Sequence, residues 1–307
     1  MRALVVGADG FVGRHLVDHL RDAGDEVIEA VGPHVPAGGA RRPVDVRDGP
    51  SVRRLVADVQ PDALYHLAAV AYGPDAARDL PAAIAVTVGG TANVLGALSN
   101  DSLGTIVLVT GSSEVYGAPD DDPITEAAEL RPVSLYGATK VAQEALALAY
   151  GRAEGLRVIA TRSFNHIGPG QRDSFAVASF AHQLRSIEAG DREPRLRVGN
   201  LSSVRDFTDV RDVVRAYRLL VVGAHAGAPI NIASGMGRTM RALVEGLIAI
   251  SGLDVSIEVD ADRVRARDPR RIVGDASRLR SLTGWEPMIP IERTLADIWA
   301  SLHEPTP

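Results

Sequence analysis

The opening stretch of this chain constrains its fold more than any other. Ala3-Leu-Val-Val6 is an unbroken apolar run, short enough for a buried strand, and residues 11–23 place apolar side chains at 11, 12, 16, 17 and 20, the spacing of one helix face. Between them lies Gly7-Ala-Asp-Gly10-Phe-Val-Gly13. A strand that turns through three glycines directly into a helix is the first half of a βαβ unit. The helix start presents unpaired N–H groups and a positive dipole end, which suit a pyrophosphate. Gly7 permits the tight turn, Gly10 admits a ligand close to the main chain, and Gly13 lets helix and sheet pack closely. Phe11 and Val12 stand beside them at the helix start, and the spacing is GxxGxxG.

The alternation continues. Strand patterns at 26–31, 63–67, 105–110 and 156–161 are separated by helical patterns at 51–59, 76–100 and 134–153. This order predicts an α/β fold, a Rossmann doubly wound parallel sheet. The stretch 31–42, with two prolines and three glycines, reads as a loop. After Arg162 the chain becomes richer in Gly, Pro and Arg, with a further strand at 230–233 and helices at 175–189, 210–223, 240–251 and 291–302. The expected organisation is a dinucleotide-binding unit over 1–163, with 208–233 packing back onto it. A smaller mixed α/β lobe for substrate covers 164–207 and 234–307, and a cleft lies between the two parts.

Composition removes several function classes. The chain has no cysteine, so disulfide frameworks, thiolate metal sites and cysteine nucleophiles are excluded. A formal net charge of −6 argues against sequence-independent nucleic-acid binding, and the arginine-rich run 263–271 lacks the interleaved aromatics of an RNA site. His15 and His19 share a helix face without a third ligand, so no metal is expected. There is no basic leader and no run of about 18 apolar residues, which leads to the expectation of a cytoplasmic protein with no membrane partner.

One detail outweighs the averages. Of the 33 basic residues every one is arginine except Lys140, and Lys140 falls four residues after Tyr136. With six tyrosines in 307 positions, that coincidence has a chance of about 2%. The spacing puts phenol and ammonium on one helix face. A compact ammonium can sit beneath a cofactor ribose and lower a neighbouring phenol's pKa, and arginine is a poor replacement. Ser112 follows the strand at 105–110, at a carboxyl end where ligands bind, and can donate to a substrate oxygen; Ser113 and Glu114 are adjacent polar candidates. Asp45 and Val46 are candidates for adenine contacts. The residue after the second strand is Gly32, neither acid nor base, which leaves NAD versus NADP open.

The glycines at 7, 10 and 13, His66-Leu-Ala-Ala69, Ser112-Ser-Glu-Val-Tyr-Gly117, Tyr136-x-x-x-Lys140 and Arg162-Ser-Phe-Asn165 together resemble the extended short-chain dehydrogenase/reductase family, which handles nucleotide sugars. Phe164-Asn-His-Ile-Gly-Pro-Gly-Gln171, Val198-Gly-Asn200 and Arg205-Asp-Phe-Thr-Asp-Val-Arg-Asp212 resemble its GDP-6-deoxy-mannose reductases. That resemblance implies reduction of the C4 keto group of a nucleoside-diphosphate 4-keto-6-deoxy sugar, GDP-linked, by NADPH or NADH. It implies that Tyr136 is the general acid, that Lys140 binds the nicotinamide ribose and tunes Tyr136, and that Ser112 polarises the carbonyl. Leu67, Ala68, Ala69 and His166 are then on the cofactor side, and Asn165, Ser113, Arg205, Arg265 and Asp268 on the nucleotide-sugar side. It also implies a homodimer joined through helices around 91–99 and 134–153. Thr87 departs from the family's usual Asn, and Arg267 and Arg270 depart from its nucleotide clamp. Two other readings use the same residues. A 4,6-dehydratase or 4-epimerase with tightly bound NAD would use Glu114 as the base, and a non-catalytic dinucleotide sensor would not need the Tyr/Lys pair.

Overall fold

In the computed structural model, which describes residues 1–98, 104–119, 122–263 and 269–304, strands and helices alternate through the first half. They run β1 (Arg2–Val6), α1 (Phe11–Asp22), β2 (Glu26–Val31), β3 (Arg41–Pro43), α2 (Gly49–Val59), β4 (Ala63–His66), α3 (Gly73–Arg78), α4 (Leu80–Ile84), α5 (Gly90–Ala97), β5 (Ile106–Ser112), α6 (Leu135–Glu154) and β6 (Arg157–Ser163). The second half continues with β7 (Asn165–Ile167), α7 (Ala176–Glu188), β8 (Arg195–Val198), β9 (Val204–Asp209), α8 (Val210–Val222), β10 (Pro229–Ile232), β11 (Gly237–Thr239), α9 (Met240–Ser251), β12 (Ser256–Val259), β13 (Arg271–Ile272), α10 (Ser277–Thr283) and α11 (Ile291–Ser301).

Seven strands form one parallel sheet in the order β10-β6-β5-β4-β1-β2-β3. The chain winds outward from β1 to β3, then crosses back and winds the other way from β4. The switch between β1 and β4 opens a crevice at the carboxyl ends of the strands. Both faces of the sheet are covered, so its central strands are apolar throughout: Ala3, Leu4, Val5, Ala63, Leu64 and Tyr65 are all fully buried. Leu16 and Leu20 of α1 join Val213 and Leu220 of α8 on one face, while Val52 and Val56 of α2 join Val94 and Leu95 of α5 on the other. A separate core gathers Phe180 and Leu184 of α7, Leu243 and Leu247 of α9, and Leu295 of α11. Around it, β9 pairs with β7, β11 and β13, and β8 pairs with β12.

The helix expected over 76–100 is broken. Asp79 leaves the helical region (φ −140°, ψ 79°) and its side chain caps α4, accepting from Ala82 N at 3.0 Å. The cause is Pro81, which cannot donate to the preceding turn and whose ring would clash there, so a new helix starts just before it. A π-helical turn at Ala85–Gly89 then leads into α5, and Ser99 and Asn100 lie outside the described residues. The stretch Leu80–Ala97 has a mean hydropathy of 1.4 and is apolar enough to cross a membrane by length and composition only, as the helix of a soluble core also can be, and here it is split into α4, the π turn and α5. The stretch 31–42 is also not wholly loop. Its last two residues belong to β3, an exposed three-residue edge strand with no alternation for a pattern to register.

Candidate active site

The glycine turn is built as its spacing demands. Gly7 has φ +90°, and a β-carbon there would stand 2.8 Å from Ala68 N; one on Gly13 would stand 2.2 Å from Gly7 O. A β-carbon on Gly10 would meet only Gly7 O, at 3.2 Å, so that face of the turn is open. Gly10 also begins α1 without any side-chain cap, leaving the first amides of the helix for a ligand. Leu67 N and Ala68 N both donate to Val6 O, at 2.9 and 3.0 Å, which holds the end of β4 against the turn. A narrow cradle of backbone N–H groups at a helix start fits the pyrophosphate of a dinucleotide.

Across the crevice, α6 carries the phenol and the ammonium. Ser134 caps the helix by accepting from Gly137 N at 2.9 Å. The Tyr136 ring packs on Ala76 and Ala83, with Ser112 as a polar neighbour of its hydroxyl. Burial and the Glu114 charge raise the Tyr136 pKa, and the Ser112 contact partly offsets them. Lys140 Nζ lies 6.0 Å from the centre of the Tyr136 ring. It donates to Thr110 O at 2.9 Å and to Gln143 Oε1 at 2.8 Å. Burial pulls Lys140 down to about 7.

Behind Lys140 runs a buried polar chain. Gln143 Nε2 donates to Thr91 Oγ1 at 2.9 Å, and Thr91 donates its own proton to Thr87 O at 2.6 Å. With that proton committed, the 2.9 Å contact between Thr91 Oγ1 and His66 Nε2 must be a donation from the imidazole. Nε2 of His66 therefore carries a proton, and burial and then Lys140 push the ring's pKa down to about 3, which favours the neutral form. The departure at Thr87 is accommodated too, since its hydroxyl accepts from Val70 N at 3.3 Å.

The remaining expected residues divide. His166 stacks on Phe11 with ring centres 6.1 Å apart and planes 9° from parallel, and its Nδ1 donates to Phe164 O at 3.1 Å. His15 Nε2 donates to Pro169 O at 2.9 Å and Arg14 to Gly170 O at 3.3 Å, so residues 166–170 are pinned over the start of α1. Val12 is half-buried, next to Gly13. Asn165 is exposed on β7, and Arg205 lies half-buried on β9. Glu114 Oε2 accepts from Ser134 Oγ at 2.6 Å, and Ser113 is buried in the turn that follows β5. The Asp45 carboxylate is closed on by Arg47, with contacts of 2.6 to 3.1 Å, and the Val46 side chain is buried in the core. Arg265 and Asp268 lie outside the described residues.

Sequence reasoning missed Gln143 and Glu144, although both lie on the Lys140 side of α6 at i+3 and i+4. Glu144 takes Arg162 in a two-point ion pair, 2.8 and 2.7 Å, and Arg162 also donates to Tyr116 Oη at 2.9 Å. The acids of the 205–212 motif are structural. Asp206 accepts from Ser234 and from the amides of Gly235 and Gly274, Asp209 caps α8, and Asp212 accepts from the amides of Met288 and Ile289.

The model of the NAD dependent epimerase/dehydratase family matches residues 3–233. The GDP-6-deoxy-D-mannose reductase of Pseudomonas aeruginosa is 38% identical over 303 residues, covering 97% of this chain and 95% of the relative. Among solved structures, RMD from Pseudomonas aeruginosa complexed with NADPH superposes with a TM-score of 0.87 at 37% identity, covering 98% of this chain and 96% of that one. The Thermus thermophilus UDP-glucose 4-epimerase complexed with NAD superposes with a TM-score of 0.85 at 27% identity, covering 98% of each. With that family model spanning residues 3–233 and a relative 38% identical over nearly the whole chain, the chain belongs to the NAD dependent epimerase/dehydratase family of extended short-chain dehydrogenases/reductases.

Proposed function

We propose that this protein reduces the C4 keto group of a nucleoside-diphosphate 4-keto-6-deoxy hexose, with GDP-4-keto-6-deoxy-mannose as substrate. The observation that carries the reading is the chain's sole lysine, buried with its Nζ 6.0 Å from the centre of the Tyr136 ring at the carboxyl end of β5. The relative of 38% identity, named for this reduction, supports the choice of sugar and base.

When bound, the dinucleotide supplies the hydride that converts the C4 carbonyl carbon to an alcohol carbon. Ser112 donates to the carbonyl oxygen and orients it. Tyr136 gives its phenolic proton to that oxygen as negative charge builds there, and the Lys140 cation favours the phenolate left behind. Gly7, Gly10, Phe11, Val12 and Gly13, with Leu67, Ala68 and Ala69, are assigned to the dinucleotide cradle, with His166 closing it; Asp45 and Val46 are assigned to the adenine, through the main chain, since Arg47 holds the Asp45 carboxylate and the Val46 side chain is in the core. Ser113, Asn165, Arg205, Arg265 and Asp268 are assigned to the nucleotide sugar. Residues 1–163 with 208–233 thus hold the redox nucleotide, and 164–207 with 234–307 hold the sugar nucleotide.

Glu114, the base required by a dehydratase, has its carboxylate engaged by the helix-capping Ser134, which favours the reductase. The protein is assigned to the cytoplasm as a homodimer. Ala138, Ala142, Ala145 and Ala149 make an exposed uncharged stripe along α6, beside the partly exposed Leu80–Ala97 stretch, and suit close helix packing between two copies.

Purified protein given reduced dinucleotide and GDP-4-keto-6-deoxy-mannose should consume reduced-nicotinamide absorbance, and Tyr136→Phe should abolish the reaction. An unaffected Tyr136→Phe enzyme ends the assignment. Consumption of GDP-mannose with no net change in reduced cofactor would favour the dehydratase.

A further inference from the structure

In dinucleotide-binding sheets the residue after the second strand selects the cofactor. An acid there accepts from the 2′-hydroxyl of the adenine ribose, whereas a basic residue meets the 2′-phosphate of NADP. In this chain the position is Gly32, which has no side chain to do either.

A carboxylate reaches the same place from the neighbouring turn. Asp9, inside Gly7-Ala-Asp-Gly10, has Oδ1 accepting from Gly32 N at 3.1 Å. A β-carbon built on Gly32 would stand 3.4 Å from Asp9 Oδ2, so the carboxylate lies in contact with the place where a side chain at 32 would begin. Asp9 is exposed, and only one of its oxygens is used by that amide. The arginines that follow β2 are directed elsewhere. Arg41 Nε donates to Glu29 at 3.4 Å, Arg42 Nη1 donates to the carbonyls of Gly39 and Arg41 at 2.8 and 3.1 Å, and Arg47 closes on Asp45.

We propose that Asp9 is the specificity-determining residue for the dinucleotide: its carboxylate accepts from the 2′-hydroxyl of an unphosphorylated adenine ribose and repels a 2′-phosphate, so that this protein prefers NAD(H) to NADP(H). The inference rests on the dinucleotide site proposed above, and it is independent of which sugar is reduced. It sets the chain apart from the Pseudomonas aeruginosa structure that holds NADPH. Placing a second anion against a carboxylate is unfavourable at short range even when partly screened, and a hydrogen bond to the ribose is lost at the same time.

The test is a direct binding titration, by calorimetry or nicotinamide fluorescence, of NADH and NADPH against the full-length protein and its Asp9→Ser and Asp9→Asn variants. Thermal-shift curves with each nucleotide provide a second readout. The wild type should bind NADH more tightly by about tenfold or more. Both variants should lose that ratio, mainly because NADPH binds more tightly. Equal or tighter NADPH binding by the wild type overturns the proposal, as does an unchanged ratio in the variants. If instead the ratio behaves as expected and no keto sugar is reduced, the sugar assignment fails while that of Asp9 stands.

Discussion

Gln143 holds Lys140. Its side-chain carbonyl accepts from the lysine Nζ at 2.8 Å, and its amide passes the constraint on to Thr91. Both side chains are almost fully buried, at 3% exposure for Lys140 and 1% for Gln143, so the ammonium has a fixed position relative to Tyr136 before any ligand arrives. The contact belongs to one helical turn, since the two residues are three apart on α6.

A pH dependence follows. Burial lowers Lys140 to about 7 from its ordinary 10.5. Between those values the unfolded chain keeps a proton that the folded protein has released, so this group's contribution to stability rises with pH across that window. Below about 7 the buried cation costs stability. Activity runs the other way, because the neutral amine no longer favours the phenolate. We expect kcat/KM to fall about tenfold per pH unit above the Lys140 pKa. Gln143→Leu should move that limb to lower pH and cost about 1–3 kcal/mol of stability. A pH–rate profile of Gln143→Leu superimposable on that of the wild type would contradict the positioning role.

Two glycines of the turn should separate folding from binding. Gly13→Ala places a methyl 2.2 Å from a main-chain oxygen, where neither partner can give, and should destabilise the fold by about 2 kcal/mol or more. Gly10→Ala meets only one atom at 3.2 Å and should fold, while weakening dinucleotide binding by obstructing the open face. Thermal unfolding with and without nucleotide distinguishes the two. A Gly10→Ala protein that binds as well as wild type would argue against close ligand approach at that residue.

Arg162 and Glu144 form a buried pair, with side chains 6% and 7% exposed. Arg162→Met leaves the carboxylate unpaired inside the protein and should cost about 3–5 kcal/mol. The double variant Arg162→Met with Glu144→Leu should be less damaged than the sum of the two single changes. Denaturant unfolding of the four proteins gives the coupling; additive losses would show that the pair is not a unit.

Much of the molecule was legible because its signals are local. The strand–glycine–helix opening carries its own reason for each glycine, and the lone lysine four residues after a tyrosine identifies one helix face without a structure. The elements that escaped are those with little local pattern. Short strands such as β7, β11 and β13 span two or three residues and exist because β9 supplies their partners. The break at Asp79 was readable from Pro81, but the apolar composition on both sides hid it.

From the amino-acid order alone came the parallel α/β sheet, the glycine turn between strand and helix and the phenol and ammonium on one helix face, because each depends on spacings within one strand, turn or helix. Tertiary structure alone decided that Thr91 and His66 line up behind Gln143, that Glu144 neutralises Arg162, and that the Asp9 carboxylate reaches the end of β2. Those side chains come from segments tens of residues apart, and only the packing of helices on the sheet brings their polar atoms within hydrogen-bond distance in a place with little water to compete.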